Sequence, residues 1–257
     1  MKKNFFIIDG SCYIYKSYYA NDNLKTYHKK NTGTIRLIVK IFKKIVSKNI
    51  NYNLCILDSK KYNFRSLIYN KYKKIRKKID MNLIKQMKSI FYSIRSLGLP
   101  IFCINGFEAD DIIGTLTKKL YNLNFHIFLY TVDKDFSQLV RYRVNLINNF
   151  NYEYLDEIGV LIKFGIIPRR IIDYLMLAGD SVDNIPGVKN IGKKIAVKLI
   201  KKYKSLNDIV LCSKYIRGIK GLNIRKNISY LLLSHKLVSI KLDCCIMRYN
   251  KYLRFSK

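Results

Sequence analysis

Short apolar runs recur along the chain, with amphipathic stretches between them. Residues 5–8, 54–57, 101–104 and 126–130 are brief apolar runs, as buried strands are. Residues 34–50 place Ile35, Ile38, Ile41, Phe42, Ile45 and Val46 at helical spacing. Residues 82–97 predict a second helix, stopped by Gly98 and Pro100, and residues 108–120 a third. Alternation of this kind predicts an α/β fold with a mostly parallel central sheet covered by helices. Beyond about Phe164 the pattern changes to helices joined by short turns, and Pro168 opens a helix that runs through Leu177. The chain of 257 residues is therefore expected to divide into residues 1–165 and a helical part, 166–257.

Composition excludes some classes. The chain is 49% hydrophobic, enough for a packed core, yet no apolar run approaches the roughly 20 residues of a membrane span. The N-terminal run is too short for a signal peptide, and Asp9 ends it, so a cytoplasmic protein with no membrane partner is expected. None of the six cysteines forms a C-x-x-C pair, which fits free thiols in a reducing compartment. His28, His126 and His235 stand in no metal or triad motif, so histidine chemistry is not expected. Lys and Arg number 49 against 17 Asp and Glu, a net charge of +32 that attracts nucleic acid. The abundance of Lys, Asn, Ile and Tyr, all with AT-rich codons, supplies a second source for that excess. The tail, residues 248–257, is basic and aromatic without a motif.

The scarce acids are not spread evenly. Asp9 closes the first strand and Asp58 the second; Glu108, Asp110 and Asp111 follow the third, and Asp133 and Asp135 the fourth. Parallel sheets bind ligands beyond these carboxyl ends. With Asp180 and Asp183, nine of the seventeen acids are expected in one cleft. A single aspartate at a strand end commonly caps the next helix. Nine carboxylates packed together repel one another and stay ionised only beside cations. An oxygen-only donor set without His or Cys selects Mg²⁺ or Mn²⁺, and two such ions can drive phosphodiester hydrolysis.

Two basic segments accompany the acids. Residues 63–80 interleave Phe64, Arg65, Tyr69, Tyr72, Lys73 and Arg76, a pattern that suits either phosphate contacts with base stacking or a solvated helix face. Gly187-Val188-Lys189-Asn190-Ile191-Gly192, followed by Lys193 and Lys194, suits a tight turn between helices whose amides approach a phosphate backbone.

Phe6-Ile7-Ile8-Asp9-Gly10-Ser11, Phe107-Glu108-Ala109-Asp110-Asp111-Ile112-Ile113-Gly114, Asp133-Lys134-Asp135 and Gly179-Asp180-Ser181-Val182-Asp183-Asn184-Ile185-Pro186-Gly187 carry a resemblance. In this order they resemble the 5′→3′ exonuclease domain of bacterial DNA polymerase I, of the flap endonuclease family, over residues 4 to about 245. The resemblance implies a PIN/resolvase-like nuclease domain followed by a helix–three-turn–helix subdomain that binds DNA. It implies one metal ion among Asp9, Asp58, Glu108, Asp110 and Asp111. It implies a second among Asp133, Asp135, Asp180 and Asp183. Residues 63–80 then correspond to a basic helical arch. There Lys73 and Arg76 bind the scissile or a neighbouring phosphate, Tyr72 stacks a nucleotide, and Phe64, Arg65 and Lys16 contact DNA. Gly187, Val188, Gly192, Lys193 and Lys194 hold the duplex, with a K⁺ ion bridging turn carbonyls to phosphate. The sequence departs from the family pattern at Lys16, usually Arg, at Lys77 and Lys78, often Pro, and at Val132 and Asn190, usually Gly.

The implied activity is a two-metal 5′ nuclease acting as exonuclease and flap endonuclease on DNA 5′ ends, nicks and flaps. RNA-primed ends would be among its substrates and a separate DNA polymerase a partner. A PIN-type RNA-cleaving nuclease and a non-catalytic DNA-binding remnant are the alternatives.

Overall fold

The computed structural model describes residues 3–20, 32–48, 52–59, 63–76 and 78–246. The basic tail, Lys77 and the last residues of the helix expected over 34–50 lie outside them. The first four strands are β1 (Asn4–Asp9), β2 (Asn53–Ile56), β3 (Ile101–Phe102) and β4 (His126–Tyr130). Two more follow, β5 (Val144–Asn148) and β6 (Glu153–Leu155). They form one sheet in the order β3-β2-β1-β4-β5-β6, parallel except for the β5–β6 pair. The chain builds β2 and β3 on one side of β1 and then crosses to β4 on the other. That switch opens a crevice at the carboxyl end of β1.

Side-chain alternation along β1 divides the core. Phe5 and Ile7 pack with Ile112, Ile113 and Leu116 of the Ala109–Asn122 helix. Phe6 and Ile8 face the opposite layer, with Tyr13 and Ile14 of Gly10–Ala20, Ile38 and Phe42 of Gly33–Val46, and Ile90 and Ile94 of Met81–Ser96. Both faces are covered, so β1 reads as a continuous apolar run. The first layer continues without a break into the helical part, taking in Leu175, Leu177, Ile200, Leu231 and Leu237.

The helical part comprises Glu157–Phe164, Ile171–Ala178, Lys193–Tyr203, Leu206–Leu211, Ile219–Lys226 and Ile228–Val238. Between the second and third of these lies a small hairpin of β7 (Gly179–Asp180) and β8 (Ile185–Pro186). After the last helix, the chain returns to the first domain as an extended strap. Cys244 donates its N–H to the Thr115 hydroxyl at 3.1 Å, and Ile240 donates to the Gln138 side-chain oxygen at 3.0 Å.

The expected arch takes a different form. Among the described residues of 63–80, only Phe64–Ile68 is helical, started by Asn63, whose side chain accepts the Ser66 N–H at 3.0 Å. Turns follow through Arg76, and Lys73 sits at φ 55°.

Candidate active site

Asp9 ends β1 and is fixed from two directions. It accepts the Cys12 N–H at 3.0 Å and the Thr131 hydroxyl, beyond β4, at 2.9 Å. Asp58 accepts the N–H of Ala109 at 2.9 Å, and its own N–H donates to the Ser11 hydroxyl at 2.7 Å. The second strand end is thereby tied to the helix that carries Asp110. Asp133 accepts the Asp135 N–H at 2.9 Å and starts the 3-10 turn Lys134–Leu139. Asp9, Asp58, Asp110 and Asp133 line one cleft of about 580 Å³, with Lys16, Lys73 and Arg76 at its walls.

The Gly179–Gly187 hairpin delivers the remaining acids. A Cβ on Gly187 would stand 2.5 Å from the Gly179 nitrogen, so the two arms touch backbone to backbone. This closeness sets the loop in which Asp180 accepts the Val182 N–H at 2.8 Å. Asp180 pairs with the Lys134 ammonium at 2.9 Å, and Asp183 pairs with Arg76 and, at 3.7 Å, with Lys73. Lys73 also pairs with Glu108, and Asn184 donates its amide to the Lys71 carbonyl at 2.8 Å. The turns of the basic segment are thus fastened over the carboxylates.

Three expectations need correction. Arg65 is 2% exposed and cannot reach DNA: its N–H groups go to Glu108, Asp111 and the carbonyls of Leu237 and Ser239. Asp111 is fully buried and holds Arg65 through both oxygens, at 2.7 Å each, while also accepting the Lys241 N–H at 2.9 Å. It faces away from the cleft and is not placed as a metal ligand. Tyr72 is 7% exposed, with its hydroxyl 3.0 Å from Glu108 and 3.2 Å from Asp183, so its ring offers no face to a base. Phe64 stacks on the Arg65 guanidinium, 4.6 Å from its carbon. Sequence reasoning missed Ser11 and Thr131, which orient Asp58 and Asp9, and Tyr15 and Tyr19, which line the cleft. Hydroxyls beside strand-end acids were the available signal for the first pair.

In the 187–192 turn, Val188 is buried, its N–H donates to the Leu177 carbonyl and its carbonyl accepts the Ile191 N–H, each at 2.9 Å, so it shapes the turn from within. Asn190 adopts φ 66°, the left-handed conformation that Asn tolerates in place of Gly. Gly192 precedes the Lys193–Tyr203 helix with open space around it, so Lys193 and Lys194 begin a helix whose first amides point outward.

Burial and crowding shape the acids. Burial, with Asp58 nearby, pushes Asp9 up to about 7 despite the Cys12 N–H. Asp110 stands well above the carboxylate range through burial and the charges of Asp133 and Asp9, although Lys73 opposes this. Burial also raises Asp133, and burial with Asp133 and Asp180 raises Asp135 further. One Asp135 oxygen is buried with no hydrogen-bond partner. Burial alone would lower Lys73, but Glu108, Asp183 and Asp110 outweigh it and hold the ammonium charged. As the side chains stand, no three His, Cys, Asp or Glu among the described residues could hold a metal ion together. The protein's own cations neutralise Glu108, Asp180 and Asp183 instead. An orphaned buried carboxylate oxygen, and acids raised by burial and then by one another's charge, are what a hard divalent cation would relieve, so the donor set fits one.

Residues 4–165 match the family model described as 5′-3′ exonuclease, N-terminal resolvase-like domain, and residues 166–257 match 5′-3′ exonuclease, C-terminal SAM fold. A 5′-3′ exonuclease of Buchnera aphidicola subsp. Acyrthosiphon pisum is 39% identical, covering 92% of this chain and 86% of that protein. One of Aquifex aeolicus is 35% identical, covering 99% and 88%. DNA polymerase I of Pseudomonas aeruginosa is 35% identical over 92% of this chain but only 27% of its own length. Among solved structures, T5 5′-exonuclease with bound zinc superposes with a TM-score of 0.79 at 20% identity, covering 91% of this chain and 89% of that one. A bacteriophage T5 flap endonuclease in a pseudo-enzyme-product complex with DNA and metal ions gives 0.74 at 20% identity, covering 92% and 89%.

Proposed function

The chain belongs to the 5′-3′ exonuclease family, and on that premise we propose that it hydrolyses DNA at 5′ ends, nicks and 5′ flaps with two divalent cations. The observation that carries this reading is the convergence of Asp9, Asp58, Asp110 and Asp133 on one cleft with Lys73 and Arg76 at its edge. The first ion would be held by Asp9, Asp58, Glu108 and Asp110. The second would be held by Asp133, Asp135, Asp180 and Asp183. The T5 structures named for bound metal ions, divalent zinc in one of them, support the dependence, and the oxygen-only donor set favours Mg²⁺, with Mn²⁺ able to substitute.

Bound ions supply an activated water and charge that stabilises the leaving oxygen. The chain supplies the rest. Lys73 and Arg76 exchange their carboxylate partners for phosphate oxygens, which places positive charge where negative charge develops. Lys16 lines the same cleft and adds a third cation. The 187–192 turn and the start of the Lys193–Tyr203 helix present amides, with Lys193 and Lys194, to the backbone of the adjoining duplex. Carbonyls of the 187–192 turn would hold a K⁺ ion, which would add positive charge beside the duplex backbone. RNA-primed ends are proposed as substrates and a separate DNA polymerase as a partner.

A cleavage assay compares a 5′-flap duplex, a nicked duplex, an RNA-primed duplex and single-stranded RNA, each with Mg²⁺ and with chelator. Mg²⁺-dependent cut products from the flap and nick are expected. Preferential cleavage of single-stranded RNA would favour a PIN-type ribonuclease instead. Binding without cleavage under every metal would mark a non-catalytic remnant.

A further inference from the structure

Arg65 joins parts of the molecule that are far apart in sequence. All five of its N–H donors are used. Nη1 donates to Glu108 at 2.8 Å and Asp111 at 2.7 Å, and Nη2 to Asp111 and the Ser239 carbonyl at 2.7 Å each. Nε donates to the Leu237 carbonyl at 2.9 Å. Leu237 lies in the last turn of Ile228–Val238, where main-chain carbonyls lack helical partners and favour a cation. One guanidinium thus spans Glu108, which pairs with the cleft residue Lys73, the buried acid Asp111 and the point where the strap leaves the helical part.

The strap is fixed along the same helix as these acids. Asp111 accepts the Lys241 N–H, and Thr115, one turn further on, donates to the Lys241 carbonyl at 3.3 Å and accepts from Cys244. Gly114 allows this closeness: a Cβ there would lie 2.9 Å from Leu242 Cδ2. Of the three side chains that hold the Glu108 carboxylate, Arg65, Tyr72 and Lys73, the first is therefore itself held by the strap.

We propose that Arg65 is a positioning residue through which the strap of residues 239–246 and the helix end that precedes it set the orientation of Glu108, with Asp111 as its anchor and not a metal ligand. The inference rests on the reading that Glu108 and Asp110 are ligands of a divalent ion. Removing an outer partner of a ligand weakens metal binding by about 10- to 100-fold; removing a ligand costs more, enough for that ion to drop out of the titrated range.

The test is a Mn²⁺ titration of the full chain by electron paramagnetic resonance, with flap-cleavage rates and circular dichroism on the same samples. Asp111→Asn and Arg65→Lys should each weaken Mn²⁺ binding by about 10- to 100-fold at unchanged stoichiometry. Their double variant should fall little further in affinity or rate, because the pair acts as one unit. Thr115→Val, which cuts the strap without touching Arg65, should move affinity in the same direction by a smaller factor and serves where a buried Arg65 variant misfolds. Asp110→Asn should lose one bound ion. The proposal is overturned if Asp111→Asn also loses an ion, if Thr115→Val and Asp111→Asn keep wild-type affinity, or if the two clamp substitutions are additive. If instead Asp110→Asn keeps every ion, the ligand reading fails, and additivity of the cleavage rates still decides the clamp.

Discussion

The main-chain N–H of Lys73 donates to the carbonyl oxygen of Asp183 at 2.9 Å. Backbone, not only charge, thus fastens the basic segment to the loop that presents the second group of acids. It fixes Lys73 beside Glu108 and Asp183 before any substrate arrives.

Lys73→Ala should therefore lower the single-turnover cleavage rate more than it lowers DNA affinity. The expected loss is about 10²- to 10³-fold, the scale of one preorganised electrostatic donor. Flap binding and cleavage measured on the same variant decide it; an affinity loss with an intact rate would place Lys73 outside the chemistry.

The double change Lys193→Ala with Lys194→Ala should do the reverse. Loss of two phosphate contacts flattens the slope of log affinity against log salt by up to about 1.8, since each contributes roughly 0.9. Rates at saturating enzyme should stay near wild type. A rate defect that saturation does not cure would contradict this separation.

Metal binding should strengthen as pH rises through the region of Asp9, whose burial holds it near 7. Metal requires the ionised acid, so acidification competes with it. Without metal the sign for folding is opposite. A carboxyl raised from 3.8 to about 7 binds more protons folded than unfolded across that window, so its contribution to stability falls as pH rises from 4 to 7. Thermal unfolding of wild type and Asp9→Asn in chelator should show a steeper decline for wild type. Parallel curves would remove Asp9 from the account.

Gly187→Ala should destabilise the chain. The added Cβ would meet the Gly179 nitrogen at 2.5 Å, a backbone atom that cannot swing aside. A cost of about 1–3 kcal/mol is expected, the range for forced overpacking. Melting should drop by several degrees and Asp180 and Asp183 should be misplaced, with cleavage reduced beyond the stability loss. By contrast, Asn190→Gly should be tolerated, because φ 66° suits glycine at least as well.

The strongly periodic elements were legible in the chain. The expected strand over 126–130 is β4 as observed, and the helix expected over 82–97 is Met81–Ser96. β5 and β6 were not, because Asn145 and Asn148 interrupt the first and the second is three residues long. The helix Gly10–Ala20 also escaped, since aromatic and hydroxyl residues alternate there without a clear 3.6-residue repeat. At the site, acids at strand ends could be read directly, because a strand end is a local feature. Arg65 could not: its partners lie 43, 46, 172 and 174 residues away, and nothing beside it marks it as buried in a run of basic residues. Asp110 and Asp111 illustrate a finer limit. Neighbours on a helix point about 100° apart, so only one of the pair can face the cleft.

The Arg65 bridge also bears on how the protein is born. Its carbonyl acceptors are 172 and 174 residues further along the chain. At roughly 5–20 residues per second of synthesis, they leave the ribosome on the order of ten to thirty seconds after Arg65 does. Throughout that interval the nascent sheet can form while Glu108 lacks its finished mount. A growing polypeptide that could already cut nucleic acid would be a hazard to its surroundings. Under the proposed clamp, residues 237–239 must arrive before Arg65 can seat against Glu108, so ripening of the site would come late in synthesis.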